Sequence, residues 1–166
     1  GEKEAELIYR GISDPLSDTE GHRLIIDIGG GSTEIAIGKN QIAIFTASLP
    51  IGCVVWRDRF FDNDKPYSEN AIEAKMAAAE CISPIIDTIK KLGWAEVYSS
   101  SGSSKMLSYI LSINSWSHGE ITLEGISHIE NIINPISDMS TVQLEGLNSN
   151  RVDLLAPGIC ILSTIM

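Results

Sequence analysis

Leu24 to Gly38, reading LIIDIGGGSTEIAIG, forces a sharp reversal between two short apolar, β-branched runs. Leu24-Ile25-Ile26 reads as a strand with Asp27 at its end, and Ile35-Ala36-Ile37 as the returning strand. The result is a hairpin with bare backbone at its tip. On residue types alone, Gly29, Gly30 and Gly31 fit either a tight turn or a cradle that aims consecutive N–H groups at an anion, since no Cβ stands in the way. Asp27 and Glu34 flank the tip, and carboxylates beside a phosphate cradle point to a magnesium ion between them. The pattern predicts handling of a phosphate ester or anhydride.

At 166 residues the chain is long enough for one domain with a true core. Its apolar runs are too short for a transmembrane helix, and its polar start, Gly1-Glu2-Lys3-Glu4, carries no cleavable signal. Cys53, Cys81 and Cys160 are far apart and odd in number, which suits free thiols in a reducing cytoplasm. They form no metal-ligand spacing with His22, His118 or His128. A net charge of −10 argues against a nucleic-acid platform. It also opposes an anionic substrate, so either magnesium or basic residues outside this segment must offset the repulsion.

Glu2 to Gly11 predicts a helix closed by Gly11, and residues 12–22 a polar connector. Gln41 to Ser48 is a third strand, and Cys53 to Phe61 a short helix. Ser68 to Gly93 carries the strongest helical pattern, with Ile72, Met76, Ala79, Ile82, Ile86 and Ile89 on one apolar face expected in the core. Pro84 should kink or split it. Glu96 to Ser99 reads as a fourth strand running into Ser100-Ser101-Gly102-Ser103-Ser104, which opens a helix from about Ser104 to Ile113. Thr122 caps another helix carrying Ile126, Ile129, Ile132 and Ile133. Arg151 to Met166 reads as an apolar helix interrupted near Pro157-Gly158, with no stop signal. Trp56, Trp94 and Trp116 are expected as core or cover residues.

In order along the chain, five segments resemble the exopolyphosphatase and guanosine pentaphosphate phosphohydrolase family of the actin-like ATPase-domain superfamily. They are Gly1 to Tyr9 (GEKEAELIY), Asp27 to Glu34 (DIGGGSTE), Leu49 to Val54 (LPIGCV), Ser101-Gly102-Ser103 and Pro157 to Leu162 (PGICIL). The family usually has Ser-Gly-Thr where this chain has Ser101-Gly102-Ser103. The resemblance implies an α/β, ribonuclease H-like domain: a mixed five-stranded sheet with flanking helices. It further implies that residues 1–22 are the first connecting helix and linker. Residues 23–166 would then be the second domain of a truncated two-domain phosphohydrolase whose active site lies in the cleft.

The resemblance assigns roles to residues that chemistry alone leaves open. The amides of Gly29 to Ser32 would bind terminal phosphates, with hydroxyls of Ser32 and Thr33 as further donors. Asp27 suits a turn cap on its own, and Glu34 a solvated strand position; the family makes them magnesium or water partners. Glu4 alone reads as a surface glutamate on an acidic helix, but it falls in the register of the family's general base. Ser101, Gly102 and Ser103 fit either a helix cap or a substrate-facing loop at a helix N-terminus. Arg151 fits a phosphate contact or a surface ion pair.

The expected function is release of terminal orthophosphate from polyphosphate, guanosine pentaphosphate or both, with magnesium and an activated water. Trp56 with Arg59 and Phe60 resembles the guanosine pentaphosphate branch. The competing readings are an ATP-binding, kinase-like member of the superfamily and a non-catalytic sensor. The expected partners are the substrate, the missing N-terminal domain and a second copy in a homodimer, with no nucleic acid or membrane. The isolated fragment is expected to be inactive.

Overall fold

The computed structural model describes residues 1–62 and 65–166. β1 (Arg23–Ile28), β2 (Thr33–Lys39) and β3 (Ile42–Leu49) form an antiparallel meander. β4 (Glu96–Ser99) adds parallel to β1, giving the order β3-β2-β1-β4. The described residues thus form four strands, not the five that the resemblance implied. After Ser99 the apolar residues recur at helical rather than alternating spacing, and no described residue joins the sheet beyond β4.

Alternation gives the sheet two faces. Leu24, Ile26, Ile28, Ile35 and Ile37 project into the main core. There they meet α3 (Tyr67–Leu92), α4 (Gly102–Ile113), α5 (Leu123–Ile133) and α6 (Leu155–Ile165). Ile25 and Ala36 face the other way and pack with Tyr9 of α1 (Glu2–Ser13). Tyr9 docks where Gly38 has no side chain, since a Cβ there would overlap the tyrosine ring. Arg23, on the same face, is buried and donates from Nε to Glu96 of β4 at 2.8 Å, and from Nη2 to the Ser17 carbonyl. α1 continues past Gly11 to Ser13, just short of Pro15.

α3 corrects the expected apolar face. Ile72 and Met76 are each 63% exposed, and Ala79 and Ile86 also face outward. The buried stripe is Tyr67, Ala71, Ala74, Ala78, Ile82 and Ile89. Alanines win these positions because a small residue lets neighbouring elements approach closely; the indole of Trp56 reaches in to donate to the Ala74 carbonyl at 3.1 Å. α3 also runs through Pro84 as one helix. Proline removes the N–H that would bond the Glu80 carbonyl, and the Ser83 hydroxyl supplies that oxygen with a donor at 3.0 Å.

The expected short helix is α2 (Cys53–Trp56) followed by a π-helical turn, Arg57–Phe61. At the far end, a 3₁₀ turn (Ser149–Leu154) leads into α6, so the break precedes Leu155. Pro157 sits in the first turn of α6, where its missing N–H costs nothing. Thr122 caps α5 as expected, accepting from the Gly125 N–H at 3.0 Å. Trp56 is buried and Trp116 half-buried, but Trp94 is exposed. No helix among the described residues is long and apolar enough to cross a membrane.

The α3 reassignment makes a direct prediction. Ile82→Ala should cost about 2–4 kcal/mol, as a buried truncation does, whereas Ile72→Ser should stay within about 0.5 kcal/mol. Urea denaturation of both variants measures the difference, and equal losses would contradict the buried stripe described above.

Candidate phosphate-binding site

The hairpin tip owes its geometry to α2. The Gly29 carbonyl accepts from the Cys53 N–H at 2.9 Å, and the Gly30 carbonyl from Val54 at 2.9 Å and Val55 at 3.2 Å. A trans peptide is planar, with its N–H opposed to its C=O. Pulling the Gly29 and Gly30 carbonyls toward α2 therefore turns the N–H groups of Gly30 and Gly31 away from it. The N–H groups of Gly30, Gly31 and Ser32 donate to nothing among the described residues. Gly29 is different: its N–H is taken by the Ser32 carbonyl at 2.8 Å, which removes it from the expected set of free amides.

None of the three glycines has a positive φ, so the backbone conformation does not demand glycine here. At Gly31 an added Cβ would meet nothing within 4 Å. Neither strain nor packing inside the chain explains this residue. What its bareness does supply is unobstructed access to the amides.

Thr33 is fully buried and its hydroxyl donates to the Ile51 carbonyl at 2.6 Å, so it fastens the hairpin rather than serving as a ligand donor. Ser101 is likewise internal: it caps α4, accepting from the Ser104 N–H at 2.9 Å. The buried Ser103 hydroxyl lies 3.0 Å from the Cys53 sulfur. Cys53 is buried in the core, and that burial pushes its thiol up. The hydroxyls of Thr33, Ser101 and Ser103 are therefore committed within the fold. At the α4 N-terminus, the N–H groups of Gly102 and Ser103 still have no acceptor among the described residues.

Asp27 and Glu34 are direct partners across β1 and β2, so their side chains share one face, the face that carries α1. Like charges directly opposite repel, and no basic residue among the described residues forms an ion pair with either. Each is steadied by a serine that sequence reasoning missed. Ser100 donates to Asp27 at 2.8 Å, and Ser48 to Glu34 at 2.8 Å. The Ser48 contact follows from strand register, since Ser48 pairs with Glu34 across β2 and β3. The Ser100 contact needs the parallel β1–β4 pairing, which leaves no local signal in the sequence.

The same pairing sets the Ser100–Gly102 segment beside the hairpin, both at the C-terminal ends of parallel strands, the usual ligand edge of an open α/β sheet. α1 begins at that edge too: a Cβ on Gly1 would touch the Ser48 side chain at 3.3 Å. Glu4 lies in the first turn of α1, with its side chain 63% exposed. Arg151 arrives from the 149–154 turn. Its guanidinium occupies the space that a Cβ on Gly102 would take, and it forms no ion pair among the described residues.

The structure thus brings Asp27, Glu34, the hairpin amides, the α4 N-terminus, Arg151 and the start of α1 to one edge. These residues lie outside both the 540 Å³ cavity between β4, α4 and α6 and the 800 Å³ cavity beside the π-helical turn. A description of the Ppx/GppA phosphatase family matches residues 1–166. The chain belongs to the Ppx/GppA phosphatase family. A Haemophilus influenzae protein named "Putative exopolyphosphatase" is 33% identical over 165 residues, covering 99% of this chain and 51% of that protein. The chain spans about half the length of the relatives it matches.

Solved structures share the fold. The Aquifex aeolicus Ppx/GppA phosphatase, type II variant, superposes with a TM-score of 0.76 at 23% identity, over 98% of this chain and 55% of that one. An exopolyphosphatase from Cytophaga hutchinsonii gives 0.78 at 21% identity over the same shares, 98% and 55%.

Gly31→Val separates binding from folding. With nothing within 4 Å of the new Cβ, stability should stay within about 0.5 kcal/mol. Affinity for tripolyphosphate should fall at least about tenfold as the bulk covers the amides. Calorimetry beside thermal denaturation reads both; unchanged affinity would take the hairpin out of ligand binding.

Proposed function

We propose that this chain forms the phosphate-holding half of a phosphohydrolase that releases terminal orthophosphate from polyphosphate, guanosine pentaphosphate or both. The observation that carries this reading is the outward set of amides with no acceptor among the described residues, beside two facing carboxylates. Residues 1–22 would serve as connecting helix and linker, and an N-terminal domain would supply the other wall of the cleft. That wall, and any basic residues on it, would lie outside this chain.

The amides of Gly30, Gly31 and Ser32 would hold non-bridging oxygens of the terminal phosphates. The N–H groups of Gly102 and Ser103, with the Arg151 guanidinium, would take the next phosphate, using the positive end of α4. Asp27 and Glu34 fit a magnesium site, because this ion uses one or two carboxylates and fills its remaining positions with water and substrate phosphate. No third acidic, histidine or cysteine ligand joins them among the described residues, so such a site would be completed only with substrate present. Bound there, magnesium would neutralise charge on the phosphates.

Glu4 would act as general base. It accepts a proton from water while the water oxygen forms a bond to the terminal phosphorus, the bridging P–O bond breaks, and the shortened chain leaves with the electron pair. Rate would come from positioning and charge compensation.

The test is phosphate release by full-length protein carrying this chain, with polyphosphate and guanosine pentaphosphate as substrates. Turnover should require magnesium and stop with EDTA. Glu4→Gln should lower kcat by at least about a hundredfold while leaving the fold intact. Unchanged kcat would remove Glu4 from the reaction, and tight ATP binding without phosphate release would favour the kinase-like reading.

A further inference from the structure

Arg151 reaches the α4 N-terminus from a weakly anchored segment. None of the six residues in the 149–154 turn is buried, and a single 3₁₀ turn has little stability of its own. Polar contacts tie it down. The Asn148 side chain accepts from the Asn150 N–H at 2.9 Å. From outside the turn, Arg57 Nη1 donates to Asp153 Oδ2 at 2.5 Å. The rest of the Arg57 fork is braced by Asp58, whose Oδ1 accepts from Nε and lies 2.8 Å from Nη2.

Arg57 directly follows α2, the element whose amides hold the Gly29 and Gly30 carbonyls. One short stretch, 53–57, is therefore bonded to both the glycine hairpin and the turn that carries Arg151. We propose that Arg57 is a positioning residue for the phosphate site. Acting through Asp153, it holds the 149–154 turn so that Arg151 stays over Gly102, in register with the hairpin amides. The proposal rests on the phosphate-binding reading above.

The Arg57 and Asp153 side chains are 34% and 46% exposed, so their pair adds little to global stability. Its removal should show in substrate affinity instead. In the full-length protein, Arg57→Leu and Asp153→Leu should each raise KM for polyphosphate by about three- to tenfold, with kcat within about twofold. The swapped pair, Arg57→Asp with Asp153→Arg, should restore KM, and Arg57→Lys should restore part of it. In an Arg151→Ala background, Arg57→Leu should have no further effect, because the two act in series. An undiminished effect in that background, or failure of both the swap and Arg57→Lys to recover KM, overturns the proposal.

A readout independent of turnover separates this idea from the functional one. The amide resonance of Gly102 and the Nε–H resonance of Arg151 should shift in Arg57→Leu and return in the swap. Unmoved resonances overturn the positioning role even if activity changes. Shifted resonances in a protein that cleaves neither substrate keep the positioning role and remove only the phosphohydrolase reading.

Discussion

The amides of Cys53, Val54 and Val55 hold the carbonyls of Gly29 and Gly30, and peptide planarity carries that hold through to the opposite side of the chain. The first turn of a helix has N–H groups to spare. Here they are spent on the hairpin carbonyls, which leaves the N–H groups of Gly30, Gly31 and Ser32 turned outward and without an acceptor among the described residues. α2 is only four residues long and cannot do this unaided. Buried Trp56 pins it to α3 through the Ala74 carbonyl, and Thr33 ties the hairpin base to Ile51. The orientation of the tip is thus a consequence of core packing.

The acidity of the chain fits this arrangement better than composition suggests. A net charge of −10 should repel a polyanion at long range. At the hairpin edge, though, the groups nearest a ligand are backbone N–H dipoles, the N-terminal end of α4 and the Arg151 guanidinium. The two carboxylates there face each other across a strand pair, each with a serine donor and neither with a basic partner among the described residues. A cation between them would relieve their repulsion and add positive charge where phosphate would sit. Local electrostatics decides such a site, because salt screens distant surface charge beyond roughly 10 Å.

The hairpin, its flanking acids and the helix after Thr122 were legible because each rests on neighbours in the chain: a glycine bend, β-branched runs, a capping hydroxyl. The face of α3 was not, because the helix offers two apolar stripes. Ile72, Met76 and Ile86 have the larger side chains, but Ala71, Ala74 and Ala78 admit closer packing, and only the identity of the packing partner chooses between them. Thr33 was misread for a related reason. A hydroxyl beside a glycine bend looks available until Ile51, eighteen residues on, is seen to accept from it. The contacts of Ser100 with Asp27 and of Arg151 with Gly102 depend on segments far apart in sequence, so no local pattern could announce them.

Glu4, the base in the proposed reaction, is located by its helix rather than by a side-chain partner. Its side chain is 63% exposed, and no side chain among the described residues bonds to its carboxylate. Its position comes instead from Tyr9, five residues further along the same helix and fully buried in the gap left by Gly38. At a rise of about 1.5 Å per residue, that anchor lies roughly 7–8 Å down the helix axis from Glu4. Ala5 and Ser13 are buried with Tyr9 along one side of the helix, which fixes its roll. A side chain held this way keeps its lone pairs unspent while its backbone is located by packing. The proposed role of Glu4 as proton acceptor would draw on that combination, since a carboxylate already bonded to a strong donor would be a poorer base.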